Sequence, residues 1–527
     1  MCLHWWSMSP SSAVDALRAA LSAHEWDAVL ETIEKHWAVL TQTDQALLVE
    51  AINALPGPVL EANPRFVAAK TYANYLPING DVRPLRFQHT VAAGPGGLLD
   101  QLADLTSRSV SARFQGNPAQ AVAFVREAHA AIAEVSDDAL AAIRPVLPDI
   151  RLQWAMSLEL GGELVDAARA YERTFDEALT FDNRRIAVKA AGALALNYAL
   201  AGNQTAAEQW LSRRPKILDE SRSAVIDTVL TRGDLAQALM AAHDLRFDDA
   251  RAALDAAPSA DVDREAWALR LFVESVLARA SGRARQQLSR VGAAMASQPE
   301  RVRTTGLNGW LTTMATAELQ LAIGDVEAAG RTIGHLRVLD LPAANDPVRV
   351  LRAWAALRRG DAEGAVVLVG PGLAEPLTSA RITVELLMIA AAANLQLEQP
   401  AEAQAYFQAA MDLIISEGLF IVLLRLTAAE RTTLLAGQPA SLPPRVVQEL
   451  DSLGGAPTPP KVVQLSERER VVLRHLMAAP SLHAIAAAEH VSHNTVKSQV
   501  KSIYRKLGVT NRDDAIRVVA SAPHLLA

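Results

Sequence analysis

A single cysteine, Cys2, stands in a chain of 527 residues. That excludes an intrachain disulfide and any zinc cluster built on several thiolates. Aromatic residues amount to only 5%, and alternating β-branched runs are scarce, so strands have little to build on. No run approaches the roughly eighteen uninterrupted apolar residues that cross a bilayer. The most apolar stretch, Leu386 to Leu397, is broken by Asn394 and Gln396. The opening MCLHWWSMSPSS has neither the basic region nor the continuous apolar core of a secretory signal. The expectation is a soluble cytoplasmic protein with no membrane partner.

Signatures of catalysis are equally sparse. No Gly-Lys pair occurs anywhere, so a phosphate-cradling loop with its lysine is missing. The one dense glycine cluster, Gly94-Pro95-Gly96-Gly97, reads as a loop. His24-Glu25 has no second histidine four residues on, and no Gly-x-Ser-x-Gly elbow is present. His483, His490 and His493 lie close together but lack carboxylate or thiolate companions, which reads as solvent or phosphate contact rather than metal ligation. The sequence therefore nominates no catalytic residue, no cofactor and no metal, and the chain reads as a non-enzyme.

What is present is apolar and helical. Half of the residues are hydrophobic and 21% are charged, a globular composition long enough for two to four domains. The net charge of −7 conceals an asymmetry. Residues 461–527 carry ten basic and five acidic side chains, an excess of +5, whereas the preceding 460 residues carry 41 basic and 53 acidic ones, an excess of −12. A small basic module on a large acidic body suits a nucleic-acid reader joined to a regulatory region.

Alanine and leucine recur at three- and four-residue spacing, the period of helices. Superimposed on this is a longer repeat. Anchors at Gly116, Gly162, Gly202, Leu245, Gly282, Gly324, Gly360 and Glu398 are 46, 40, 43, 37, 42, 36 and 38 residues apart. Five positions after each anchor stand Ala121, Ala167, Ala207, Ala250, Gln287, Ala329, Ala365 and Ala403. Nine positions after stand Val125, Tyr171, Leu211, Leu254, Val291, Ile333, Val369 and Phe407. Gly followed by Asp or Asn ends one helix and turns the chain. The small residue lets the next helix approach closely, and the larger one lies one turn further along the same face. Hairpins of this kind bury their faces only by stacking on neighbours, which predicts a helical-hairpin solenoid over residues 1–435. The acidic residues within the repeats read as solvated outer faces. Trp154, Trp210, Trp267, Trp310 and Trp354 recur through it and read as core, with a concave groove as the other possibility.

Residues 436–461 hold Pro439, Pro443, Pro444, Pro457, Pro459 and Pro460 with Gly437, Gly454 and Gly455, the composition of a linker, with a short helix at 445–453. Residues 462–527 then read as four helices. Ser466-Glu467-Arg468-Glu469 is a capping box ahead of Val471, Val472, Leu473, Leu476 and Met477. A short helix follows from Leu482 to Glu489. A third runs from Ser492 or His493 to Leu507, with Gly508 as its stop, and Asn511 caps a fourth containing Ala515, Ile516, Val518 and Val519. On the third helix Val496, Val500, Ile503 and Leu507 fall within about 60° of one another and form a buried stripe. Asn494, Lys497, Ser498, Lys501 and Arg505 lie opposite, and no carboxylate occurs from Ser492 to Val509. Amides, hydroxyls and cations on one face suit the major groove.

The repeats resemble the tetratricopeptide repeat, with a period nearer 40 than 34, and more closely the superhelical repeats of MalT-type regulators. Trp37 to Phe66, with Leu55-Pro56 and Asn63-Pro64-Arg65, is similar to the start of that sensor region. The ATP-switch domain usual in those regulators has no counterpart here. LSERERVVL, VSHNTVKSQVKSIYRKLGV and NRDDAI resemble the LuxR/NarL-type helix-turn-helix, above all in Thr495-Val496-Lys497, Lys506-Leu507-Gly508-Val509 and Arg512. The chain departs from that pattern at Pro480, at Ala484, where an acidic residue is usual, and at Gln499, where histidine is common.

The resemblance implies an all-α chain ending in a four-helix LuxR-type domain that binds double-stranded DNA, as a homodimer. It places Lys497, Ser498 and Lys501 at base edges and Asn494, Thr495, Gln499 and Arg505 near the DNA backbone. The repeats would then sense a small molecule or a protein effector. The competing reading is a protein-interaction scaffold with a degenerate helix-turn-helix tail.

Overall fold

The computed structural model describes residues 10–63, 65–67, 69–70, 97–214, 224–258, 264–336, 345–374, 379–437, 442–453, 466–478, 481–507, 509 and 511–521. Among them every regular element is an α-helix or a short 3₁₀-helix, and none is long and apolar enough to cross a membrane. The chain divides into two compact units, Met1–Thr458 and Pro459–Ala527.

The first unit opens with helices Pro10–Ala23, Trp26–Thr43, Gln45–Ala54 and Gly57–Ala62. Their buried Leu17, Ile33, Leu48 and Ile52 make an apolar cluster of their own. A second, continuous core begins at Leu102 and runs to Leu450. Most of the helices that build it come in the eight hairpins the repeat predicts, from Leu98–Phe114 with Pro118–Ala133 to Ala380–Gln396 with Pro400–Glu417, and Asp137–Ile143, Phe420–Arg425 and Ala428–Ala436 add to it.

Each anchor is the left-handed residue of a helix stop. All eight have positive φ, between +60° and +91°, including the non-glycines Leu245 and Glu398. In each, the amide of the next residue donates to a carbonyl five positions back: Asn117 to Ala112 at 2.8 Å, Asn203 to Tyr198 at 2.9 Å, Gln399 to Asn394 at 2.9 Å. This closes the carbonyl end of the finished helix. The same residue often caps the next helix, as Asn117, Asn203 and Asp325 do by accepting from the amides of Gln120, Ala206 and Ala328. All residues five after the anchor are buried, and those nine after are buried except the half-buried Leu211. Gln287, the one non-alanine of the first set, is accommodated by a 3.4 Å contact with Ser275 Oγ.

Helices before the turns differ from those after them. Leu147–Gly161, Arg184–Ala201, Gly306–Ala322 and Ala380–Gln396 are buried around most of their circumference, whereas Leu164–Thr180 and Val326–Gly334 bury one stripe. A helix buried on every side must have neighbours on every side, and the chain supplies them by coiling back. Thr305 Oγ1 donates to the Gly116 carbonyl at 3.0 Å, and Ser379 Oγ donates to the Ala201 carbonyl at 2.7 Å. The inner helices therefore pack against helices several hairpins away as well as against their neighbours. Trp154, Trp210, Trp267 and Trp354 are buried in this core and Trp310 is half-buried.

One sequence expectation is corrected here. The repeat acids are not all on solvated faces: Glu159, Glu318 and Glu385 lie on inner helices and are buried. Each is paired. Arg232 Nη2 reaches Glu159 Oε2 at 2.8 Å, Arg113 Nε reaches Glu265 at 2.9 Å, and Arg425 bridges Glu318 and Glu385 at 2.8 and 2.9 Å. In a low-dielectric core such charges survive only in pairs, and they penalise any register that separates them.

Within 436–461, Pro444–Ser452 is a helix whose Val446 and Leu450 sit in the first unit's core. Arg431 ties it down by donating to the Leu450 carbonyl at 2.9 Å. Gly454, Gly455, Pro457, Pro459 and Pro460 fall outside the described residues, as do Gly94 to Gly96 and Pro480.

The return of the coil is testable at two glycines. A Cβ on Gly202 would stand 2.4 Å from Arg381 Cβ, whereas one on Gly282 meets nothing within 4 Å. Gly282→Ala should cost only the left-handed strain, about 1–2 kcal/mol. Gly202→Ala should add an overpacking cost of about 1–3 kcal/mol. Thermal unfolding of the two variants measures the difference, and equal losses would show that the hairpins do not pack across this return.

Candidate nucleic-acid interface

The second unit holds helices Glu467–Ala478, Leu482–Ala488, His493–Leu507 and Arg512–Ser521. The capping box forms: the Glu469 amide donates to Ser466 Oγ at 3.3 Å and the Ser466 amide donates to Glu469 Oε2 at 2.7 Å. Ser481 accepts from the Ala484 amide to start the second helix. Ser492 accepts from the Thr495 amide at 3.1 Å to start the third. Asn511 accepts from Asp514 at 2.8 Å to start the fourth. Between the second and third helices the chain turns through His490, at φ +52°. The third helix ends with the Val509 amide on the Tyr504 carbonyl at 2.9 Å, while Gly508, the expected stop, lies outside the described residues.

The core joins Val472, Leu473 and Leu476 of the first helix, Ile485 and Ala486 of the second, and Val496, Val500 and Ile503 of the third. Leu507, the fourth member of the expected stripe, is half-buried against it. That stripe fixes the rotation of the third helix. Asn494, Thr495, Lys497, Ser498, Lys501 and Arg505 are exposed, and Gln499 is half-buried. The Thr495 hydroxyl pairs with Ser492 Oγ at 2.8 Å. Among the described residues Lys497 and Lys501 have no ion-pair partner, so both ammonium groups are available to an incoming anion.

Sequence reasoning missed the polar clasp beneath this helix. Glu469, besides closing the capping box, accepts from Ser502 Oγ at 2.8 Å and from Lys506 Nζ at 2.6 Å. One buried carboxylate thus ties the start of the first helix to the far end of the third. The signal was present but divided, as Glu469 at the third position of the cap and Ser502 and Lys506 one turn apart, 33 and 37 residues later. A second tie, His475 Nε2 to Glu489 Oε1 at 2.7 Å, links the first helix to the end of the second. His483 and His493 place their rings 4.2 Å apart across the turn.

Burial alone would raise the Glu469 pKa. The Lys506 ammonium, the Ser466 amide and the Ser502 and Ser466 hydroxyls outweigh it and hold the carboxyl at about 2. A folded pKa below the ordinary 4.5 stabilises the unit above that value, and the contribution is lost as pH falls from about 5 towards 2. Glu469→Gln should therefore destabilise the second unit at neutral pH by about 1–3 kcal/mol. Amide hydrogen exchange over 493–507 in the full chain should be faster in the variant at pH 7, and the gap from wild type should close as pH drops. A gap independent of pH would remove the charge from the explanation.

Residues 463–519 match the profile of the family described as bacterial regulatory proteins, luxR family. Two curated relatives, each called probable transcriptional regulatory protein NarL, come from Mycobacterium tuberculosis strains CDC 1551 / Oshkosh and ATCC 25618 / H37Rv. Each is 46% identical over 52 residues, which is 10% of this chain and 24% of the relative. The chain thus spans about a quarter of the length of the curated relatives it matches. The match falls on the capping box, the turn and the third helix, and the second unit of this chain is a helix-turn-helix domain of the LuxR family of bacterial regulatory proteins.

Proposed function

We propose that the chain is a DNA-binding transcription regulator in which helix His493–Leu507 enters the major groove of an operator. The observation that carries this reading is the exposed face of that helix, where amides, hydroxyls and unpaired cations stand without one carboxylate. Lys497, Ser498 and Lys501 project from its centre and approach base edges, with lysine donating to guanine acceptors. Asn494, Thr495, Gln499 and Arg505 flank them and contact the phosphodiester backbone, which sets orientation rather than sequence. The amino-terminal end of the helix adds a positive field towards phosphate. Two copies acting as a dimer read half-sites about 10 bp apart. The acidic repeat unit senses a small molecule or a protein and adjusts DNA affinity.

Fluorescence anisotropy on duplex DNA from the gene's own upstream region tests this. The full chain should bind with steep salt dependence, and each lysine–phosphate contact removed should lower the slope of log K against log salt by about 0.9. Lys497→Ala should cost about 1–3 kcal/mol and relax preference at one base. Uniform weakening on every sequence would make Lys497 a phosphate contact instead. Binding insensitive to both salt and a Lys497→Ala/Lys501→Ala double variant would replace the operator with a protein partner of the repeats.

A further inference from the structure

The paired charges of the repeat core do not balance at one place. Four guanidinium groups, of Arg279, Arg358, Arg381 and Arg425, gather there around three carboxylates, of Glu318, Glu385 and Glu430. Glu318 is claimed three times, by Arg425 at 2.8 Å, Arg381 at 3.0 Å and Arg279 at 3.3 Å. Glu385 is divided between Arg425 at 2.9 Å and the Trp354 indole N–H at 2.7 Å. Glu430 serves Arg358 at 3.4 Å.

Arg279 is the group left short. Its side chain is 9% exposed, and its Nε meets Glu318 at 3.3 Å as an ion pair without hydrogen-bond alignment. Neither Nη group has a hydrogen-bond partner among the described residues. Burial and the Arg425 charge lower its pKa to about 10 despite Glu318 and Glu385. His243 reports the same field: burial, then Arg381 and Arg279, hold it neutral with a pKa of about 3. The Arg279 Nε is buried without a hydrogen bond, while its Nη groups are free to take an anion that would complete the pairing.

Space for that anion is present. Arg279, Arg358 and Arg425 line a half-open cavity of about 330 Å³ together with Glu318, Trp354, Leu321, Ile323 and Leu424. Arg285 lines it too and is exposed to solvent. The volume lies at the small end of ligand sites, about 300–1,000 Å³. Planar guanidinium groups recognise carboxylate and phosphate oxygens through paired donors, and the apolar wall suits a hydrocarbon body.

We propose that this cavity binds a small organic anion, with its carboxylate or phosphate on the free Nη groups of Arg279 and its apolar part against Leu321, Ile323 and Leu424. This deepens the sensing role proposed for the repeats, and only its consequence at DNA rests on that role. Because the Arg279 pair is otherwise incomplete, the ligand acts as a missing piece of the core and stabilises the unit that holds it.

The test uses the full chain with benzoate, phenyl phosphate and inorganic phosphate as probes and benzyl alcohol as the uncharged control, followed by calorimetric titration and thermal unfolding. At least one organic anion should bind and raise the Tm, while benzyl alcohol should do neither. Whether benzoate or phenyl phosphate binds more tightly tells carboxylate from phosphate. Arg279→Met keeps the stem and removes the charge, so it should lose at least tenfold in affinity while its ligand-free Tm stays level or rises, because Glu318 retains two arginines. Should that variant fail to fold, the exposed Arg285→Glu should still weaken the anion several-fold. No binding up to about 10 mM, the weak end of ligand affinity, or equal binding by wild type and both variants, overturns the proposal. Repeating the DNA titration with the bound anion separates the two readings. Binding that leaves DNA affinity unchanged keeps the cavity and removes its role as the sensor. A complete lack of anion binding removes the cavity proposal and leaves DNA reading intact.

Discussion

Everything in the repeat unit depends on one hydrogen bond made eight times, from the residue after each anchor to a carbonyl five positions behind it. Making it requires a left-handed residue at the anchor, and that conformation sets the angle at which the next helix leaves. With the angle fixed, the alanine five residues on falls where the two helices cross and the larger side chain nine residues on falls above it. The hairpins are then alike enough to stack, and the stack brings the Gly116 carbonyl to Thr305 and the Ala201 carbonyl to Ser379. The inner helices owe their all-round burial to that return, and the buried arginines and carboxylates owe their low-dielectric setting to the same event.

Much of this was legible in the sequence because the constraint is local. A glycine in a left-handed stop, an Asn or Asp capping the next helix and an alanine at the crossing all leave marks within ten residues of one another. Even Leu245 and Glu398, which lack glycine's freedom, were placed by their spacing and adopt the same backbone. The ion pairs were not legible. Arg113 and Glu265 are 152 residues apart and Glu318 and Arg425 are 107 apart, and nothing nearby distinguishes Glu318 from an acid on an exposed face. Reading those acids as solvated followed the usual behaviour of glutamate and failed because the return of the coil, which buries them, is a global property. Pro444–Ser452 behaves likewise: its prolines mark the ends of a segment, while Val446 and Leu450, which dock it, look unremarkable until the surface they meet is known.

The helix-turn-helix unit is legible for a different reason. It is small, its core needs one stripe per helix, and the third helix writes its orientation twice, once in Val496, Val500 and Ile503 and once in the exclusion of acids from the opposite face. What escaped was Glu469, whose place in the cap accounts for its presence so completely that a second task is invisible. The same carboxylate that closes the first helix holds Ser502 and Lys506, so the helix that carries the candidate DNA contacts is oriented by a residue from outside its own sequence neighbourhood.

The return contacts also limit how such a chain can evolve. Tandem repeats are usually free to gain or lose a unit, since each touches only its neighbours. Here the turn at Gly116 is matched to residues 301–305, and the turn at Gly202 to residues 379–381, about four and a half hairpins further along. Inserting or deleting a single hairpin would shift every later helix by one place against the earlier ones, put side chains into the space that Gly202 leaves for Arg381 and separate Arg113 from Glu265. A hairpin gained or lost between the matched turns would therefore break both returns, whereas a longer connection away from the eight turns would leave them in register.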